Sequence, residues 1–321
     1  MNILILGHDP IFATDIEEAF LKLGYGVRKI PFSTIEEFEK GLEEFNPTFV
    51  MTLGSPSYYT ALSLRKHLGS RNKESGFKLI HWDTDGIEWL GLEIQLMLDI
   101  QPDYIFTVCP ETLAYLNSVG IRAKLLSYGF SPSSHYPELP QNHLTDAISF
   151  IGGSGYDLRK LPVRLRSFET LIKPILENSG RVEFYSEPFI KEQLEYFLQI
   201  KLSESMIHNR CPYVQTRKIY NDSFINLGIQ NSEYKLTKRT FEIIGCGGCM
   251  MVPNTVEIKN HFTDGKEVII CESPADTLEK LNFYRMNLEA YAEVRRNALI
   301  ASTRYTYEER MKQMLEEMGI K

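Results

Sequence analysis

A chain of 321 residues, 43% of them apolar and 24% charged, is long enough for two cores of roughly 150 residues each, so two domains are expected. The net charge of −7 argues against broad nucleic-acid binding, and no basic run marks a DNA or RNA face. No stretch approaches ~18 uninterrupted apolar residues, so no membrane span is expected, and an odd set of five scattered cysteines fits a reducing, cytoplasmic setting.

The opening MNILILGHDP has no basic start and reads as a buried strand, Asn2 to Leu6, rather than a signal peptide. Further strands are predicted at Val27 to Phe32, Phe49 to Leu53, Lys78 to Trp82, Asp103 to Val108 and Ala123 to Ser127. Amphipathic spacing predicts helices between them at Ala13 to Leu23, Thr34 to Phe45, Ser57 to Leu68, Ile87 to Leu98 and Glu111 to Val119. This alternation is the pattern of an α/β domain with a mainly parallel sheet over residues 1–130. Polar residues collect after its strands. His8 and Asp9 follow the first, and either line a ligand site at the strand end or cap the loop. His81, Asp83 and Asp85 come at the end of the fourth, in HWDTDG. In an extended strand these three share one face and can converge on one ligand group, with Asp83 and His81 as base candidates. Turn chemistry before the next helix competes for Asp83 and is the better reading of Asp85.

Residues 131–146 carry three prolines and few apolar side chains, and read as a linker. A second α/β pattern covers 147–304, with strands at Ala147 to Gly152, Val182 to Ser186, Phe224 to Gly228, Met250 to Val252 and Val268 to Cys271. Residues 305–321 form a last amphipathic helix expected to pack back on the first domain. Two doubly wound domains facing across a cleft would bind a ligand at the carboxyl ends of their strands.

The most informative stretch is TKRTFEIIGCGGCMMV, 237 to 252. Thr237 reads as an N-cap, Phe241, Ile243 and Ile244 face inward, and the glycines close the helix before a strand. Lys238 and Arg239 stand in the first turn, where the helix dipole disfavours cations; that conflict points to an anion nearby. Glu242 lies three residues after Arg239 on the same face, and a carboxylate beside a phosphate-binding cation suits a nucleotide diphosphate with its ribose. The alternative is an exposed ion pair between those two, worth only ~0.3 kcal/mol. Cys246 and Cys249 form a CxxC, but no second ligand pair at zinc spacing exists, and both read as packing residues.

Four segments carry a family resemblance: RKIYNDSFINLGI (217 to 229), the 237 to 252 stretch, HFTDGKEVIICESPADTLEKLNFY (261 to 284) and YTYEER (305 to 310). In order and spacing they resemble the C-terminal domain of CgeB-type spore maturation proteins, a branch of the GT-B glycosyltransferases. The resemblance implies two Rossmann-like domains and sugar transfer from a nucleotide-sugar donor to an unidentified hydroxyl acceptor, in cell-surface or spore-coat glycan assembly, without a metal or other cofactor. It implies that Glu242 binds the ribose, that Arg239 approaches the diphosphate, that Gly152, Gly153, Ser154 and Arg159 lie along the phosphate loop, and that His8 and Asp9 lie on the acceptor side. Lys238 and Thr240 stand beside Arg239 as further donor-binding candidates, and Asp85 beside His8 and Asp9 as an acceptor-side one. Two departures stand out: Tyr234 replaces an acid eight positions before Glu242, and the usual HTY reads Tyr305, Thr306, Tyr307. The first of these keeps a non-catalytic nucleotide- or sugar-binding protein as the alternative.

Overall fold

A computed structural model describes residues 1–7, 12–54, 61–74, 76–138, 145–153 and 157–320. The chain divides into two compact units, Met1–Ser131 with Tyr307–Lys321, and Pro132–Thr306. Both are α/β, each built on six parallel strands. Among the described residues no helix is long and apolar enough to cross a membrane.

In the first unit the strands are β1 (Asn2–Leu6), β2 (Gly26–Ile30), β3 (Phe49–Leu53), β4 (Lys78–Asp83), β5 (Tyr104–Thr107) and β6 (Lys124–Leu125), in the order β2-β1-β3-β4-β5-β6. Helices α1 (Phe12–Lys22), α2 (Ile35–Phe45), α3 (Leu62–Glu74), α4 (Leu90–Ile100) and α5 (Pro110–Ser118) connect them, and the C-terminal α14 (Tyr307–Glu317) joins the same unit. Central strands are apolar on both faces because helices cover both: Ile3, Leu4, Ile5 and Leu6 are all 0% exposed. Leu4, Leu6, Val50 and Leu79 pack with Phe38, Leu64, Leu68, Leu96 and Ile100 of the helices in one core. Thr34 caps α2 by accepting from the Glu37 amide, and Asn46 ends it in the left-handed region at φ 44°.

The second unit has β7 (Thr145–Ile151), β8 (Glu183–Tyr185), β9 (Ile207–His208), β10 (Ser223–Leu227), β11 (Met250–Pro253) and β12 (Ile269–Cys271), in the order β12-β11-β10-β7-β8-β9. Its helices are α6 (Pro162–Leu171), α7 (Lys173–Glu177), α8 (Ile190–Leu198), α9 (Thr216–Asp222), α10 (Lys238–Gly245), α11 (Val256–His261), α12 (Pro274–Met286) and α13 (Leu288–Ser302). Ile148, Phe150, Phe168, Phe184, Ile225 and Met251 anchor the core, each side chain contributing on the order of 2 kcal/mol by leaving water. Residues 132–138, within the stretch read as a linker, are packed into this unit: His135 is fully buried, and Asn221 donates to the Tyr136 carbonyl at 3.1 Å.

Two elements differ from expectation. The edge strand β9 has only two residues and no apolar run to announce it. Helix α3 continues to Glu74, beyond the expected end at Leu68, because Gly69 is a packing residue and not a stop: a Cβ there would lie 2.3 Å from the Asp99 carbonyl of α4. Gly69→Ala is therefore expected to destabilise the protein by about 1–3 kcal/mol through overpacking. At Gly91 of α4 a Cβ meets nothing within 4 Å, so Gly91→Ala should be neutral or stabilising by up to ~1 kcal/mol. Urea denaturation of the two variants side by side checks the contrast.

Candidate functional site

The strand order of the second unit reverses between β7 and β10: the chain runs outward through β8 to β9 on one side and through β11 to β12 on the other. Doubly wound sheets bind ligands outside the carboxyl ends of the strands at such a switch point. Gly152 and Gly153 follow β7 there, and loop 228–237 leads from β10 into α10. Ser154, the next residue of the glycine loop, lies outside the described residues.

Thr237 takes the N-cap position in extended conformation, at φ −78° and ψ 151°, yet its side chain caps no amide. Gln230 holds the helix start instead. Fully buried, it accepts from the Thr237 amide at 3.1 Å and donates to Thr240 Oγ1 at 3.0 Å and the Gly228 carbonyl at 2.9 Å. Thr240 is itself 0% exposed, so its hydroxyl braces the loop.

Glu242 is 3% exposed. Tyr220 donates to its Oε2 at 3.3 Å, and Lys238 lies 3.6 Å from Oε1. The ion pair within α10 thus uses Lys238, one turn away, and not Arg239. Lys238 also sits 4.4 Å above the Tyr213 ring, whose centroid is 4.9 Å from that of His135. Burial works to raise the Glu242 pKa, but His135, Lys238 and Arg239, with a hydrogen bond from Tyr213, outweigh it and hold the carboxyl below its ordinary range. Arg239 is half-buried in the first turn, and among the described residues its guanidinium makes no hydrogen bond or ion pair. Sequence reasoning missed His135, because a buried histidine inside a proline-rich stretch leaves no periodic signal.

It also missed Arg164. This α6 residue is 3% exposed and donates to the Gly153 carbonyl at 2.7 Å and to Asn231 Oδ1 at 2.8 Å, with its guanidinium 5.1 Å from the Phe168 ring. Arg159, by contrast, has a 77% exposed side chain that turns back on Asp157 at 2.8 Å. Tyr234 is 45% exposed. Its acidic neighbour Glu233 pairs with Arg166 and accepts from the Val256 amide at the start of α11. Cys246 and Cys249 are fully buried free thiols; burial pushes Cys246 well up and Cys249 to about 12, which suits packing and not redox work. Among the described residues no histidine, cysteine or carboxylate group clusters as a metal site.

In the first unit the order reverses between β1 and β3. His8 and Asp9, just after β1, lie outside the described residues. His81, on β4, is fully buried, with Nδ1 2.8 Å from Thr52 Oγ1 and Nε2 2.5 Å from Glu93 Oε1. Burial works against the imidazolium, but the Glu93 carboxylate outweighs it and raises the His81 pKa. Asp83 is also fully buried; Thr107 donates to its Oδ2 at 2.6 Å and the Asp85 amide to its Oδ1 at 2.9 Å. Burial, then the Glu93 charge, raises its pKa. The three residues do not line one strand face, because β4 ends at Asp83 and the chain turns on that side chain. Asp85 alone of the three is partly exposed. Its carboxylate lies over the end of β3, where a Cβ on Gly54 would come within 3.0 Å of Asp85 Oδ2 and 2.5 Å of Thr84 Oγ1.

Both units are Rossmann-like, and the chain has the GT-B glycosyltransferase fold. Residues 166–316, which hold α10, match a family model described as glycosyl transferase-like. Structures similar to the whole chain include sucrose-phosphate synthase from Thermosynechococcus elongatus (TM-score 0.67, 10% identity, 99% of each chain). Anabaena Alr3699/HepE in complex with UDP-glucose aligns at TM-score 0.66 and 9% identity over 99% of each chain. An α-glucosyltransferase in complex with UDP and a 13-mer DNA containing an HMU base aligns at 0.68 and 13%, over 99% of this chain and 98% of that one. Comparison with curated protein sequences gives no match.

Because its folded pKa lies below the unfolded one, Glu242 contributes stability that is fully present above the ordinary glutamate pKa of about 4.3 and is lost as pH falls through the lower folded value. Glu242→Gln should be about 3 kcal/mol less stable than the parent at neutral pH, since it leaves the cations around a buried position unmatched. That deficit should shrink as pH is lowered toward 3, measured by urea denaturation across the range; a constant deficit would contradict the assignment.

Proposed function

We propose that this protein is a GT-B glycosyltransferase that moves a sugar from a nucleoside diphosphate donor to a hydroxyl acceptor. The single observation that carries the reading is Arg239, a guanidinium without a hydrogen bond among the described residues, in the first turn of the helix that follows β10 at the switch point. Helix amides and that cation would take the diphosphate, and the developing charge of the leaving group, without a metal. Glu242 would accept the ribose hydroxyls. Lys238 would exchange its contact with Oε1 for a phosphate oxygen on donor binding. The glycines after β7 would approach the diphosphate from the other side of the switch point. The fold relatives solved with UDP or UDP-glucose favour a uridine donor as the first to test.

The acceptor falls to the first unit in this reading. Asp85 has the exposure that a base needs, while Asp83 shapes its turn and His81, held by Glu93, backs the strand; His8 and Asp9 would complete that side. The resemblance to CgeB-type proteins directs the acceptor search to cell-surface and spore-coat glycans. A relative solved with DNA adds nucleic acid to the panel despite the acidic net charge. One observation favours a second reading, a non-catalytic nucleotide- or sugar-binding protein: Tyr234 stands where many retaining enzymes have an acid, and Glu233 beside it is engaged by Arg166.

A thermal-shift screen against UDP, GDP, CDP and dTDP sugars is expected to show stabilisation by one base class. Arg239→Ala should weaken that binding about tenfold or more, the scale of one charge-assisted hydrogen bond, and Glu242→Ala should weaken it as well. No stabilisation by any nucleotide would defeat the donor reading. Binding without hydrolysis or transfer across the acceptor panel, together with a silent Asp85→Asn, would favour the second.

A further inference from the structure

The donor site as read above has two halves on different loops, the glycine turn after β7 and the α10 N-terminus after β10, and their spacing must match a diphosphate. Among the described residues the Arg164 side chain spans them. Arg164 donates to the Gly153 carbonyl on one loop and to Asn231 on the other. The second loop passes the restraint on: Gln230, next to Asn231, holds the Thr237 amide and the Thr240 hydroxyl at the start of α10. Helix α6 grips the same loop at two more points, where Ser167 Oγ donates to the Gln230 carbonyl at 3.1 Å and Arg166 pairs with Glu233.

We propose that Arg164 is a positioning residue for diphosphate binding, a strut that fixes the distance between the two phosphate-facing loops; this rests on the donor reading above. A buried guanidinium is an expensive way to fill space, and a methionine or leucine would serve a core better. Arg164 instead directs its planar fork to two loops that meet at the ligand-binding end of the sheet, and these two bonds reach neutral oxygens. The fork geometry matters, because two acceptors on separate loops need two fixed donors, which a lysine cannot supply. A preset spacing lowers the ordering cost of binding and acts on the diphosphate, not on the base or ribose.

The test is calorimetric titration of the protein with UDP, GDP, CDP and ADP and with the matching nucleosides, for the parent, Arg164→Gln, Arg164→Lys and Asn231→Ala. The parent should bind one diphosphate more tightly than its nucleoside. In Arg164→Gln that diphosphate increment should fall by about tenfold or more while nucleoside affinity changes less than about twofold; Arg164→Lys should lose nearly as much, and Asn231→Ala part of it. A purely structural role would lower the melting temperature and leave the increment unchanged, and that result overturns the strut. If Arg164→Gln does not fold, the other two variants decide by the same criterion. Failure of the parent to bind any of the four diphosphates overturns the donor reading itself, whereas binding with an unchanged increment in the variants overturns only the role of Arg164.

Discussion

A carboxylate at 3% exposure survives in a protein only where its charge is matched, and the environment of Glu242 supplies that match. Lys238 and Arg239 come from its own helix, His135 from the segment before β7, and Tyr213 and Tyr220 from the turn before α9 and from α9 itself. Two stretches distant in sequence, one around His135 and one over residues 213–220, are thereby tied to the N-terminal half of α10. The helix in turn can carry two cations against its own dipole because the acid beneath it offsets them. An anionic ligand at the helix start would complete the same balance from outside.

The loop before α10 solves a different problem. Thr237 has the residue type of an N-cap, but its side chain bonds no amide; the Thr240 amide goes to the Thr237 carbonyl, and Thr237's own amide goes to Gln230. Gln230 is reached through the chain's own turn after β10, and α6 presses Ser167 and Arg164 against the same few residues. Hydrogen bonds to buried backbone fix this loop more tightly than surface ion pairs would, since each broken one leaves an unsatisfied group costing about 1–3 kcal/mol.

Much of this was legible in the sequence, and the remainder was not for identifiable reasons. The alternation of apolar runs with amphipathic segments gave both sheets, because a parallel strand covered on both faces is mostly apolar. Val50, Leu79 and Met251 are examples at 0% exposure. The position of α10 was readable from its cations, glycines and inward Phe241. What spacing could not give was partner choice: Arg239 and Lys238 are both within reach of Glu242 by helical geometry, and only packing against Tyr213 selects Lys238. His135 and Arg164 act across 81 and 67 residues of sequence, on Thr216 and Asn231, and local pattern carries no trace of such pairings. In HWDTDG spacing left a shared strand face and turn chemistry both open; the strand stops at Asp83, whose side chain takes the Asp85 amide and folds the turn.

The decisive measurement is a crystal structure of the protein with a nucleoside diphosphate bound. The phosphates should lie within about 3 Å of the Arg239 guanidinium and the first amides of α10, with the ribose hydroxyls on Glu242 and Lys238 moved off its Oε1. A nucleotide bound elsewhere, with the Lys238–Glu242 pair intact and Arg239 turned to solvent, would contradict the donor site.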